Sequence, residues 1–181
     1  MDTPADRDEV RSALVEMQGN RCAYCDCDLS KNARRAHVEH FVQQHRRKSA
    51  IFDWSNLFLS CSCEDCCGKH KDEHVGSYAD EDLVKPDDVQ PREFIRFTRD
   101  GRVWPKNACR QGQETIRVFA LDCGRLRGMR KSYLAAIAAE LDDFVKVGLS
   151  PDELVRLRKK LALEYEQHPF RSAVLDVLDM Q

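Results

Sequence analysis

The segment His37-Val38-Glu39-His40 lies between two groups of closely spaced cysteines, Cys22-Ala23-Tyr24-Cys25 before it and Cys61-Ser62-Cys63-Glu64-Asp65-Cys66-Cys67 after it. This arrangement decides the reading of the fold. Of nine cysteines in 181 residues, seven fall between Cys22 and Cys67, a density that marks reduced thiols gathered for a metal rather than a plain apolar core. Two thiolates in Cys22-x-x-Cys25 can reach one zinc ion from a tight turn. A redox Cys-x-x-Cys would open a helix in a βαβ setting, and no such pattern surrounds this one. The second half of the site has to come from Cys61, Cys63, Cys66 and Cys67, four candidates for two places. Cys63 and Cys66 repeat the first spacing, whereas Cys61 and Cys67 flank a longer loop. Four thiolates would close a tetrahedral structural site and staple a small unit that apolar burial alone could not hold.

Residues 36–42, Ala-His-Val-Glu-His-Phe-Val, read as a short strand. In a strand, alternate residues share a face, so Val38 and His40 point one way and His37 and Glu39 the other. Histidine suits general-base work near neutral pH, and a carboxylate suits a hard divalent cation such as magnesium. Asn56, just before Leu57-Phe58-Leu59, offers an amide with both donors and an acceptor that can tie down a loop. The stretch 51–61 is aromatic and apolar and is expected to pack beside the cysteine knuckle.

Farther out, residues 5–18 form a short helix that Gly19-Asn20 ends. Residues 93–104 read as a β-hairpin turning at Asp100-Gly101, a type I′ signal. The last third is helical, with helices over 113–121 and 127–147, the latter closed by Gly148. Ser150-Pro151-Asp152-Glu153 has the signature of a capped helix start. Leu154, Leu157 and Leu161 line one face of that helix, His168-Pro169 breaks the chain, and a terminal helix carries Val174, Leu175, Val177 and Leu178. The fold class is α+β.

No apolar run approaches the roughly 20 residues that span a bilayer. The polar, acidic start lacks the pattern of a secretory signal. The expectation is a soluble cytoplasmic protein without a membrane role. The net charge of −2 excludes a globally basic nucleic-acid binder. Basic residues do cluster at Arg34-Arg35, at Arg46-Arg47-Lys48 and from Arg125 to Lys131, which is enough to focus a positive field on one face.

Taken together, Cys22-x-x-Cys25, Glu39-His40, Trp54-Ser55-Asn56-Leu57, Ser60-Cys61 and Cys67-Gly68-Lys69-His70-Lys71 resemble the zinc-binding HNH endonuclease family, over about residues 20 to 75. The subtype resembled is the PtuB-like HNH effector of Septu anti-phage systems, including versions carried by retrons. The resemblance implies a zinc-stapled ββα-metal core over residues 1–75, with the N-terminal helix. It implies a hairpin and helical extension over 76–181 that packs on the core and docks a partner. It further implies a structural Zn²⁺ on Cys22, Cys25, Cys61 and Cys67, with Cys67 preferred to Cys66 because Lys71 then takes its family position. Glu39 would bind a catalytic Mg²⁺ or Mn²⁺, His40 would be the general base, and Asn56 would orient the loop carrying His40. The family often places asparagine or histidine directly after the last cysteine, where this chain has Gly68. His70 or His74, one helical turn apart, would compensate, with His70 favoured. The implied substrate is DNA or a structured RNA, gripped by Arg34, Arg35, Arg46 and Arg47. The implied partners are a PtuA-like ATPase and, in the retron version, a reverse transcriptase with its RNA and DNA. A non-catalytic zinc module that binds nucleic acid or protein is the rival reading; it would keep the cysteines and have no use for His40.

Overall fold

The computed structural model of the protein describes residues 4–30, 36–88 and 90–179. Within them are six α-helices and two small antiparallel sheets, a mixed α and β architecture. Helix α1 (Pro4–Gln18) stops at Gly19 and Asn20, both with positive φ near 60°. Its last residue, Gln18, then acts as an extra strand partner. The Gln18 side chain accepts from Leu59 N at 2.7 Å and donates to Leu59 O at 3.0 Å.

Strand β1 (Ala36–His40) pairs antiparallel with β2 (Leu57–Cys61), with Val38 opposite Leu59 and His40 opposite Leu57. Helix α2 (Cys67–Glu73) follows directly, giving the order strand, strand, helix. All five residues of β2 are buried. Trp54 and Phe52, expected to pack with them, are 46% and 70% exposed, because the chain turns outward at Ile51–Asp53 before re-entering at Asn56.

Strands β3 (Ile95–Phe97) and β4 (Val103–Pro105) form the expected hairpin. Its turn is not type I′, because of the two central residues only Gly101 has positive φ, at +81°. Gly101 N donates to Thr98 O at 2.9 Å and Thr98 N to Arg102 O at 3.1 Å, the pattern of a type I turn followed by a left-handed bulge. A side chain at Gly101 would also run into the backbone of helix α4 (Gly124–Lys146), meeting Lys131 N at 2.8 Å. Both conditions require glycine here.

Helix α3 (Arg110–Val118) begins and ends about three residues earlier than its apolar pattern suggests, and α4 begins three residues earlier. Helix α5 (Pro151–Glu164) starts with the full capping box: Ser150 Oγ accepts from Glu153 N, and Glu153 Oε2 accepts from Ser150 N at 2.9 Å. Helix α6 (Arg171–Asp179) is not a peripheral addition. Val174 and Val177 are fully buried, Asp176 accepts from Phe97 N at 2.7 Å, and Phe170 N donates to Asp26 O at 2.9 Å. A single cluster of buried residues runs from the cysteines through Phe58 and Phe119 to α6. No helix among the described residues is long and apolar enough to cross a membrane.

Candidate metal centre and adjoining cleft

The knuckle around Cys22 is built by local backbone bonds. Cys22 N donates to Cys27 O at 3.0 Å, Asp26 N donates to Cys22 O at 2.9 Å, and Asp26 takes φ of 60° to close the turn. Ala23 N donates to Leu59 O at 3.0 Å, which sets the knuckle against β2. Cys61 N in turn donates to Cys22 Sγ at 3.4 Å.

This places Cys22, Cys25, Cys61 and Cys67, all buried, with their sulfur atoms within 4.8 Å of one another, a group that could hold a metal ion. The set is the one implied by the family resemblance. Sulfurs around one zinc sit roughly 3.8 Å apart, given Zn–S of about 2.3 Å in a tetrahedron, so the four fit that ion. Cys67 joins the group because its backbone turns to φ of 59° at the start of α2, held by a bond from its N–H to Phe119 O at 2.8 Å. Of the competing thiols, Cys63 is engaged outside the group, whereas Cys66 touches one of its members. Cys63 Sγ accepts from Arg125 Nη1 at 3.1 Å, and Cys66 Sγ lies 3.9 Å from Cys61 Sγ.

On the other side of β1, a cleft of about 340 Å³ is lined by His37, Glu39, His40, Gln43 and Gln44, with Lys69, Asp72 and Glu73 of α2. His37 Nε2 and Glu39 Oε2 lie 3.2 Å apart, as residues sharing a strand face should. His40, which simple alternation assigns to the opposite face, also reaches the cleft from the last position of the strand.

Both ring nitrogens of His40 are engaged. Nε2 is 2.9 Å from Ile51 O and Nδ1 is 3.0 Å from Gln44 Nε2. A carbonyl only accepts, so Nε2 carries the proton and Nδ1 holds the lone pair. Asn56 supports this geometry from below. Its Oδ1 accepts from Val42 N at 2.7 Å, and its Nδ2 donates to Val42 O and Ala50 O, both at 3.1 Å. With 3% of its surface exposed, Asn56 ties both ends of the 42–50 loop that leads to Ile51.

Glu39 is 2% exposed and pairs with Lys71, whose Nζ lies 2.5 Å from Oε1. The Lys71 ammonium also donates to His40 O and to Phe41 O, the latter at 3.2 Å, and lies 3.3 Å from Asp72 Oδ1, so its contact with Glu39 Oε1 is an ion pair and not a third hydrogen bond. Burial first, then the Glu39 charge, pushes the Tyr24 phenol well above its usual range; its ring stacks on Phe119 at 4.0 Å. Gly68 answers the question posed by its place in the motif. Any side chain there would overlap the Glu39 carboxyl group, and its Cβ would stand only 2.9 Å from Glu39 Cγ.

His70 and His74 are not among the residues lining the cleft. His70 Nδ1 lies 3.0 Å from Val118 O, and the two imidazoles stand 5.6 Å apart, tilted by 47°. Lys69, Asp72 and Glu73 occupy the helix face toward the cleft instead. Sequence reasoning assigned no role to His37, although its spacing of two from Glu39 was a usable signal. Of the expected phosphate-gripping arginines, Arg34 and Arg35 lie outside the described residues. Arg46 is taken up by Asp80 at 2.6 Å and by the face of Tyr78, while Arg47 is exposed.

The chain matches no protein-family model. It is similar to two curated relatives. A Septu protein PtuB of Bacillus thuringiensis is 37% identical over 60 residues, which are 33% of this chain and 23% of that protein. A Septu protein PtuB of Bacillus mycoides (strain KBAB4) is 24% identical over 145 residues, 63% of this chain and 47% of that protein. The chain thus spans less than half the length of the curated relatives it matches.

Proposed function

We propose that this chain is a metal-dependent HNH-type nuclease that hydrolyses phosphodiester bonds as an effector of an anti-phage defence system. The observation that carries the reading is the His40 arrangement. A backbone carbonyl holds one ring nitrogen and leaves the other, Nδ1, as a base at a polar cleft beside a four-cysteine centre. The similarity to Septu proteins PtuB supports the defence role.

In this reading, Cys22, Cys25, Cys61 and Cys67 hold a structural Zn²⁺ that fastens the knuckle to β2 and α2 and takes no part in chemistry. The cleft offers a divalent ion one pair of adjacent donors, whereas the group of three or more donors among the described residues is that of the cysteines. Glu39 Oε2 and His37 Nε2, at 3.2 Å, have the separation of neighbouring ligands, roughly 3 Å for bonds of about 2.1 Å at right angles. A bound Mg²⁺ or Mn²⁺ would supply charge stabilisation at the scissile phosphate and leaving oxygen. Lys71 holds the Glu39 carboxyl group in place. His40 Nδ1 accepts the proton of the attacking water once Gln44 yields its hydrogen bond, and the Ile51 carbonyl stabilises the imidazolium that results. Asn56 is a positioning residue for the loop that carries that carbonyl. With His70 on the far face of α2, the cleft itself offers His37, Asp72 and Glu73 as the further polar groups.

The proposed partners are nucleic acid, as DNA or structured RNA, and a PtuA-like ATPase, with a reverse transcriptase in a retron version. Because α6 is part of the buried cluster, removal of the C-terminal helices would expose the core. The apolar side chains Val155 and Leu163, 47% and 72% exposed on α5, are the better place to test ATPase docking by substitution with glutamate.

The deciding experiment is cleavage of plasmid DNA and of tRNA by the purified chain with Mg²⁺ or Mn²⁺, alone and with the ATPase. His40→Ala is expected to lower the rate by about 100-fold or more. Equal activity of wild type and variant, or none in any combination, would return the molecule to a non-catalytic zinc module.

A further inference from the structure

The segment Arg47–Trp54 leads from the exposed side of the 42–50 loop to Asn56, and it carries an unusual surface. Phe52 is 70% exposed and Trp54 46% exposed, and neither ring takes part in a ring–ring contact among the described residues. Burial would recover free energy from such rings, so two of them left in water within three residues is a costly arrangement. Arg47 and Lys48, at the start of the same segment, are exposed. Arg46 beside them is exposed too, but Asp80 meets its charge at 2.6 Å, so the charge offered outward comes from Arg47 and Lys48.

The segment is also joined to residues of the cleft, beginning with Arg47 N, which donates to Gln43 O at 3.3 Å. Ile51, directly before Phe52, contributes the carbonyl that holds His40 Nε2 at 2.9 Å. Asp53 folds back onto Ser55, accepting from its N–H at 3.0 Å, which turns the chain between the two aromatic residues. Ala50 and Asn56 are buried at the two ends, tied together by the bond from Asn56 Nδ2 to Ala50 O at 3.1 Å. The aromatic rings therefore stand on a short, anchored loop and not on a free one.

We propose that Phe52 and Trp54, with Arg47 and Lys48, form a stacking platform for the unpaired bases of a single-stranded nucleic acid entering the cleft. Exposed aromatic faces beside cationic side chains suit this ligand: each base has a face to stack on, and each nucleotide brings a phosphate for the basic residues. Duplex DNA hides its base faces and has no use for the rings. The proposal rests on the nuclease reading for its biological sense, and it names the substrate class of that same cleft as unpaired strand.

The test reads binding without cleavage, in the His40→Ala background of this chain, by fluorescence anisotropy. The probes are an oligothymidylate, an oligouridylate, an abasic strand of the same length and a duplex. Phe52→Ala and Trp54→Ala are each expected to weaken binding of the base-bearing strands by about tenfold, with little change for the abasic strand. Trp54→Phe should retain most of the affinity, since it keeps a ring face. Unaltered melting temperatures would show that these surface changes leave the fold intact. Equal losses on the abasic strand, unchanged affinity in both alanine variants, or no binding of either base-bearing strand would overturn the platform. So would unchanged strand affinity with loss of ATPase binding, which would make the rings a protein interface. The two readings fail separately. Ring-dependent binding by a wild-type chain that cleaves nothing would uphold the platform and remove the nuclease. Cleavage by a chain whose ring variants bind normally would do the reverse.

Discussion

Lys71 Nζ lies 2.5 Å from Glu39 Oε1, and both side chains are closed off from solvent. The pair joins α2 to β1 directly beneath His40, whose carbonyl the same ammonium holds. A buried ion pair adds little net stability, but removing one partner strands the other charge. Lys71→Met should therefore cost about 3–5 kcal/mol. The double variant Glu39→Leu, Lys71→Met should recover a large part of that loss. Urea denaturation of both, with the single Glu39→Leu variant completing the cycle, measures the coupling; additive losses would contradict the pairing.

The metal centre predicts a division among the cysteines. Serine at Cys22, Cys25, Cys61 or Cys67 should lower bound zinc below one equivalent and reduce the melting temperature, because binding energy of the metal is folding energy here. Serine at Cys63 or Cys66 should leave one zinc per chain. Elemental analysis of each purified variant decides the ligand set, and loss of zinc in Cys66→Ser with retention in Cys67→Ser would reverse it.

Asn56 makes three hydrogen bonds from a site almost without solvent. Asn56→Ala takes the side-chain partner from the Val42 N–H and the Val42 carbonyl, while Ala50 O keeps the Asp53 N–H at 3.3 Å; the cost is about 2–4 kcal/mol, since each orphaned buried group costs about 1–3 kcal/mol and relaxation recovers some of it. Thermal melting checks the size. Hydrogen exchange should show faster amide exchange at Val42, and an unchanged rate there would mean that Asn56 is not the clamp.

Gly68 leaves no room for a methyl group beside the Glu39 carboxyl. Gly68→Ala should push Glu39 away from Lys71 and destabilise the chain by about 1–3 kcal/mol. Combining it with Glu39→Ala removes the obstruction, so the double variant should lose less than the sum of the single ones. Strict additivity in denaturation experiments would show that the two residues do not collide.

Much of the architecture was legible as local chemistry. Gly19-Asn20 ends α1 because left-handed backbone suits those residues, and Ser150 with Glu153 starts α5 because the first turn of a helix has unpaired N–H groups. The hairpin position was legible at Asp100-Gly101, but its turn type was not. The packing of α4 onto Gly101 and the negative φ kept by Asp100 select the bulged form. The aromatic stretch 51–61 reads as uniformly apolar, yet it divides at Asn56 into an exposed loop and a buried strand, because only the second half has a sheet partner.

By itself, then, the sequence determined which residue types were available and how near along the chain they lay. It supplied the Cys22-x-x-Cys25 turn, the His37-Val38-Glu39-His40 strand and the helix boundaries set by caps and glycines, all of which depend on backbone requirements within a few residues. Local spacing left open which thiols join Cys22 and Cys25; the family resemblance pointed to Cys61 and Cys67, and tertiary structure brings these two to them once β2 and α2 are placed. Tertiary structure alone decided that His70 faces Val118 while His37 faces the cleft, and that Glu39 has Lys71 as its counter-charge. Those outcomes depend on the rotation of a helix against a strand, a matter of packing between distant segments that no local spacing encodes.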